Sequence, residues 1–235
     1  MNELPDATSA AIFDDYAARY EAVLNQALRS SGESHEYFAR GRIEWLKHAL
    51  ADRGVRSKRV LDFGCGIGTA TPLLRDHLHA EQVVGVEVSR KSLDLARARY
   101  GSEQIQFALP TDFDQTSFFD IAYCNGVVHH IPVKHRGETI AAIHRSLQPD
   151  GLFAVFENNP WNPGARYCMA VNPWDRDAVP ITAPVLRRLL KTAGFEILTT
   201  NYLFIFPRWL SILRCLEAPL RRVPLGAQYV VLVRK

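Results

Sequence analysis

The stretch Leu61-Asp62-Phe63-Gly64-Cys65-Gly66-Ile67-Gly68 constrains this chain more than any other. An apolar segment, Arg59 to Phe63, runs into three alternating glycines, and a helix is predicted to begin near Thr69. Glycine permits positive φ and leaves no Cβ between backbone and ligand, so strand, glycine turn and helix in that order make a cradle where a ligand can lie on the main chain. Nineteen residues after Gly68, a second apolar run, Val83-Val84-Gly85-Val86, ends at Glu87. An α/β nucleotide-binding fold puts there the acid that grips ribose hydroxyls. A glycine loop alone is often only a tight turn; coupled to the acid it becomes specific.

The spacing discriminates between cofactors. A dinucleotide fold uses G-x-G-x-x-G, with the helix N-terminus facing a pyrophosphate. Here the pattern is G-x-G-x-G, and Asp62 directly ahead of it would repel a pyrophosphate and attract a cationic or amine-bearing ligand. NAD is therefore not the expected cofactor. The residues resemble the first motif of the class I S-adenosylmethionine (SAM) dependent methyltransferases. The segment 119–131, FDIAYCNGVVHHI, is similar to that family's fourth strand, and 147–153, LQPDGLF, to its turn into the fifth. The likeness is close over roughly residues 58 to 158. It implies an α/β, Rossmann-like, seven-stranded sheet in the order 3-2-1-4-5-7-6, with flanking helices, N-terminal lid helices and a cap loop after strand five. It also implies SAM as cofactor, with S-adenosylhomocysteine as product. Asp62, Gly64, Cys65, Gly66 and Gly68 would line the methionine end, Glu87 and Val88 the ribose, and Asn125 and Gly126 would lie under the sulfonium. Many relatives carry an acid after the third strand to meet the adenine amine, and Ile105-Gln106-Phe107-Ala108-Leu109 has none. Backbone near Ala108 and Leu109 is the expected substitute, with Asp112 and Asp114 as weaker candidates.

From Arg59 onward, apolar runs near 59–63, 82–87, 104–108, 119–125 and 151–157 alternate with helical stretches, which predicts a parallel sheet covered on both faces. A helix over 183–193 ending at Gly194, a sixth strand over 195–203 and a last strand over 228–233 complete the core. Two helices precede it, one carrying Ile12, Phe13, Tyr16, Tyr20, Val23, Leu24 and Leu28, the other Phe38, Ile43, Trp45, Leu46 and Leu50. The 235 residues are read as one domain: lid helices in 1–55, core in 56–203 and 226–235, and substrate-side insertions at 158–182 and 204–225.

A net charge of +3 without arginine stripes argues against nucleic acid as a partner and leaves a small molecule as the expected substrate. The four cysteines are scattered, with no C-x-x-C pair, and read as reduced thiols of a cytoplasmic protein. Residues 1–11 lack the basic start and apolar centre of a secretion signal, and the longest apolar stretch, 202–216, is broken by Pro207 and Arg208.

For proton transfer, His129 and His130 follow strand four at the ligand-binding edge and titrate near neutrality; only one is expected to face the pocket. Glu157, at the end of strand five, is the other catalytic candidate. The run 13–20 resembles the lid helix of small-molecule methyltransferases, which assigns Tyr16 to the substrate and Tyr20 to the cofactor. The segment 157–182 reads as a stiff loop rich in proline, tryptophan and asparagine, from which Asn158, Trp161, Arg166 and Trp174 would contact substrate. Arg40 is a further cation for an anionic substrate. In 204–225, Trp209, Leu210, Ile212, Leu213, Leu216 and Leu220 share a helical face opposite Arg214, Glu217 and Arg221. Such a face suits core packing, a homodimer contact or a peripheral membrane contact through 204–222. No metal-ligand spacing is present, so no catalytic metal is expected. The resulting expectation is methyl transfer to oxygen or nitrogen of a small or lipid-linked acceptor of natural-product, sugar or isoprenoid type. Two alternatives stand: use of SAM in a cyclisation or elimination, and a non-catalytic SAM-binding protein.

Overall fold

The computed structural model describes Asp14 and residues 19–235 except 56, 114 and 177, with the backbone alone at Tyr20. Seven strands form one sheet: β1 (Arg59–Phe63), β2 (Gln82–Val86), β3 (Ile105–Ala108), β4 (Phe119–Asn125), β5 (Leu147–Asn158), β6 (Glu196–Leu203) and β7 (Gln228–Arg234). Their order is β3-β2-β1-β4-β5-β7-β6, the expected arrangement. β1 to β5 are parallel, and β7 lies antiparallel between β5 and β6.

Successive side chains of a strand point to opposite faces, so unbroken apolar runs feed two cores. Val60, Ile121, Phe156 and Val230 pack on one face with α2 (His35–Ala51) and α3 (Thr71–Leu78). Their neighbours Leu61, Ala122, Val155 and Val231 pack on the other with α5 (Val133–Ser146) and α7 (Ala183–Thr192). The other helices of these layers are α1 (Tyr20–Ala27), ahead of α2, and α4 (Arg90–Tyr100) and α6 (Pro163–Val171). Helix α2 starts where Ser34 Oγ accepts from the Tyr37 amide, and Ile43, Leu46 and Leu50 form its buried stripe.

Three expectations require correction. The segment 157–182 is not simply a loop, because Asn162 Oδ1 accepts from the Ala165 amide and Pro163 is preset for a first turn, which starts α6. β5 begins earlier than expected, through an irregular register between Phe119 and Ile121 of its neighbour and an Asp150 at φ 62°. The segment 204–225 is a 3₁₀ stretch, Arg208–Leu216, followed by the short α8 (Glu217–Leu220). Three residues per turn instead of 3.6, with non-helical angles at Leu210, rotate the faces: Arg214 and Glu217 turn inward while Trp209 and Ile212 are 73% and 85% exposed. Ile12, Phe13 and Tyr16 lie outside the described residues.

Candidate active site

The carboxyl ends of β1, β2, β4 and β5 open onto a cavity of roughly 900 Å³. That is the upper part of the 300–1,000 Å³ range of about that size typical for small-molecule sites, with room for two ligands side by side. One end is the glycine cradle. Gly64, Gly66 and Gly68 have φ of 73°, 54° and 80°. Their reasons differ. A Cβ at Gly64 would strike Val127, and one at Gly68 would press on Ala96, Phe107 and Tyr100, so these two serve close packing. A Cβ at Gly66 would meet nothing within 4 Å and would project into the space a ligand needs. Gly66 also lines the cavity, with Gly64, Glu87 and Val88.

Glu87 ties this end together. Its Oε2 accepts from the Gly66 amide at 3.1 Å and its Oε1 from the Val88 and Ser89 amides at 2.8 and 3.0 Å. Burial pushes its carboxyl upward, and these amides work against the push. Asp14 accepts from Ser89 Oγ and from the Lys91 amide, which holds Asp14 at the start of α4 beside Glu87. Tyr16 and the side chain of Tyr20 lie outside the described residues, as does Asp114.

Several expected cofactor contacts fall behind the cavity wall. Asp62 is 2% exposed and accepts from Thr71 Oγ1 at 2.7 Å, and burial raises its pKa to about 7. It holds the start of α3 instead of facing the ligand space. Cys65 and Leu109 pack with Leu93, Ala96, Ile105 and Phe107. After β3 it is Pro110, Thr111 and Phe113 that line the cavity. Asp112 is exposed and accepts from Thr111.

Arg42 and Asn125 occupy the middle. Arg42 is 3% exposed, donates to Tyr123 Oη and Gln228 Oε1 at 3.0 Å each, and contributes to the lining. Asn125 ends β4 beside Gly126, and its buried Oδ1 has no hydrogen-bond partner among the described residues. A buried acceptor without a donor is costly, so a ligand donor there is favoured.

The other end is a network of four ionisable side chains. His129 Nδ1 bonds Glu157 Oε2 at 2.5 Å, and His129 Nε2 faces Asp175 Oδ1 at 3.4 Å. His130 Nε2 reaches the same Asp175 oxygen at 3.2 Å. Glu157 Oε1 also accepts from the Val128 amide, which fixes the 3₁₀ turn Val128–His130. Both histidines line the cavity, with ring centroids 4.1 Å apart, which corrects the expectation that only one would. Both rings reach the same Asp175 oxygen. Burial alone would lower the His129 pKa, yet the flanking carboxylates outweigh it and raise the value to about 10. His130 is lowered, because burial outweighs its single carboxylate partner and His129 adds a like charge. Burial pushes Asp175 upward, but its bonds to the two histidines hold the carboxyl well below the usual range. At neutral pH the network therefore carries an imidazolium at His129, an ionised Asp175 and a neutral His130.

The ligand atoms of His129, His130 and Asp175 lie within 4.8 Å of one another, the donor set of a divalent-metal site that chain spacing does not reveal. With His129 held between two carboxylates, a proton already supplies the positive charge there.

Of the expected substrate contacts, Asn158 and Trp174 line the cavity. Trp161 is 53% exposed and Arg166 faces solvent, because α6 turns Ala165 and Met169 inward and its other side outward. Arg40 pairs with Glu36 on the surface. Sequence reasoning missed Asp175 and Arg42. Arg42 had a visible signal, a cation inside the apolar stripe of α2; Asp175 had none.

Residues 61–153 match the family model described as a methyltransferase domain. The chain is 32% identical over 142 residues to trans-aconitate 2-methyltransferase of Variovorax paradoxus, covering 58% of this chain and 53% of that protein. It is 28% identical over 179 residues to the ubiquinone biosynthesis O-methyltransferase of Aromatoleum aromaticum, covering 66% and 70%. Among the first relatives it spans from about a quarter to about a half of their length. The structure of the 1,6-didemethyltoxoflavin-N1-methyltransferase of Burkholderia thailandensis, with bound 1,6-didemethyltoxoflavin and S-adenosylhomocysteine, superposes with a TM-score of 0.57 at 24% identity, over 93% of this chain and 90% of that one. Motif, strand order and family match agree: residues 61–153 are similar to a methyltransferase domain, and the chain has the fold of the S-adenosylmethionine-dependent methyltransferases.

Proposed function

We propose that the protein transfers the methyl group of SAM to a hydroxyl or amine of an acceptor seated between the Gly66–Glu87 cradle and the His130–Asp175 pair. The observation that carries this reading is that both ends line one cavity large enough for two molecules. Bound SAM supplies a methyl group on a positively charged sulfur, already activated for in-line displacement. Gly66 leaves the backbone bare for it, Asn125 Oδ1 offers an acceptor to its ammonium, and the Arg42 guanidinium offers a counter-ion to its carboxylate. Asp14, held at the start of α4, flanks the ribose side.

His130 is the proton acceptor. Asp175 accepts from Nε2–H, which makes Nδ1 the basic position of the neutral ring and stabilises the imidazolium formed when the acceptor's proton arrives. His129 is already protonated at neutral pH and acts as a positioning residue that holds Asp175 and the turn. The insertions at 158–182 and 204–225 form the substrate side of one methyltransferase unit. A relative with O-methyltransferase in its name favours oxygen as the acceptor atom.

The test is S-adenosylhomocysteine release from SAM across acceptor panels. His130→Ala is expected to lose about 10²–10⁴ in turnover while SAM affinity stays unchanged. Full turnover by that variant would remove His130 from the chemistry.

A further inference from the structure

The segment 204–225 is built the wrong way round for a protein surface. Two of its charged side chains face the body of the protein: Arg214 Nη2 bonds Glu33 Oε1 at 2.9 Å and lies 4.9 Å over the Tyr37 ring, and Glu217 Oε1 accepts from the Phe206 amide at 2.9 Å. Main-chain contacts finish the anchoring, with the Tyr202 amide on Arg221 O and Asn162 Nδ2 on Leu225 O. Outward point Trp209 and Ile212, followed by Leu216, Val223 and Leu225, all at least 40% exposed. Arg208, Arg221 and Arg222 are exposed among them. The segment has four arginines and a single acid, Glu217, which is turned inward.

We infer that this face docks on an anionic lipid surface and delivers a membrane-embedded acceptor to the cavity. Contiguous exposed apolar surface marks an interaction site, and tryptophan with aliphatic side chains bordered by arginines fits the interfacial zone of an anionic bilayer. The face continues into the site, because Trp209, Pro207 and Phe206 also line the cavity. A symmetric contact between two copies fits less well, since it would bring the arginines of both copies together. No helix of the described residues is long and apolar enough to cross a membrane, so attachment would be peripheral. The delivery step rests on the methyl-transfer reading; the docking itself rests on the surface alone.

The experiment is flotation of the full chain with phosphatidylcholine vesicles, with and without phosphatidylglycerol, at low and high salt. Binding to the anionic vesicles is expected, weakened by salt, by about fivefold in Arg221→Gln and again in Arg222→Gln, and by about tenfold in Ile212→Glu. The thermal shift with S-adenosylhomocysteine should be the same in these variants and the parent, which shows that they fold and keep the cofactor site. No flotation of the parent protein at low salt would overturn docking. Self-association that Ile212→Glu abolishes, without vesicle binding, would reassign the face to a second copy. Flotation without any S-adenosylhomocysteine shift would preserve docking and remove the methyl-transfer reading.

Discussion

Replacing Glu157 by Gln perturbs the buried network at its most charged point. In the parent, His129 is 3% exposed and its pKa is raised from 6.5 to about 10, with Glu157 the larger of the two carboxylate contributions. A group whose folded pKa is raised lends stability that is fully present below its unfolded pKa and lost as pH climbs through its folded pKa. The window is therefore pH 6.5 to 10. At about 1.4 kcal/mol per pH unit, the gap is worth about 5 kcal/mol. Glu157→Gln removes the charge, so about half or more of that contribution should go, roughly 2–3 kcal/mol; its single oxygen also replaces two acceptors, for His129 Nδ1–H and the Val128 amide, which adds a cost that does not vary with pH. Urea unfolding of both proteins from pH 6 to pH 10 measures it. The stability difference should be greatest near pH 6 and shrink steadily toward pH 10. A difference that stays constant across the range would mean that His129 is not a buried imidazolium, and the assignment of His130 as the neutral partner would fall with it.

Gly66→Ala should cost SAM at least about tenfold in affinity by calorimetry, since its methyl group enters the ligand space, and the free protein should lose about 1 kcal/mol from placing alanine at φ 54°. Arg42→Met should weaken SAM while leaving a charge-free hole in the contacts to Tyr123 and Gln228, checked by comparing affinity with the unfolding midpoint. Leu46→Ala, at a fully buried position of α2, should cost about 2–5 kcal/mol in denaturant unfolding. Millimolar zinc or manganese should leave the thermal midpoint where it is, because His129 keeps its proton; a rise lost in Asp175→Asn would show that the histidine cluster takes a metal.

The cradle was legible because its chemistry is local: three glycines, a strand before them, and Glu87 after the next strand all lie within one βαβ unit. The strand order followed from the same resemblance. Even so, the resemblance placed Asp62 at the ligand, whereas Thr71 captures it on the far side of the loop. The acceptor end was half legible. His129, His130 and Glu157 stood at strand ends, but Asp175 lies 46 residues beyond His129, and only the packing of the cap segment brings it in. Arg42 broke an apolar stripe, a signal that means either a surface edge or a buried cation, and periodicity does not distinguish them. In 204–225 a period of 3.6 does not hold where the backbone takes 3.0, so Arg214 and Glu217 turn inward while Trp209 and Ile212 come out beside Arg221.

A crystal structure with S-adenosylhomocysteine tests the central claim most directly. The expected result is a ligand lying along Gly66 with its ribose at Glu87 and its sulfur turned toward His130 and Asp175. A ligand whose sulfur points away from the histidines, or one bound elsewhere, would contradict the placement of methyl transfer between the two ends of the cavity.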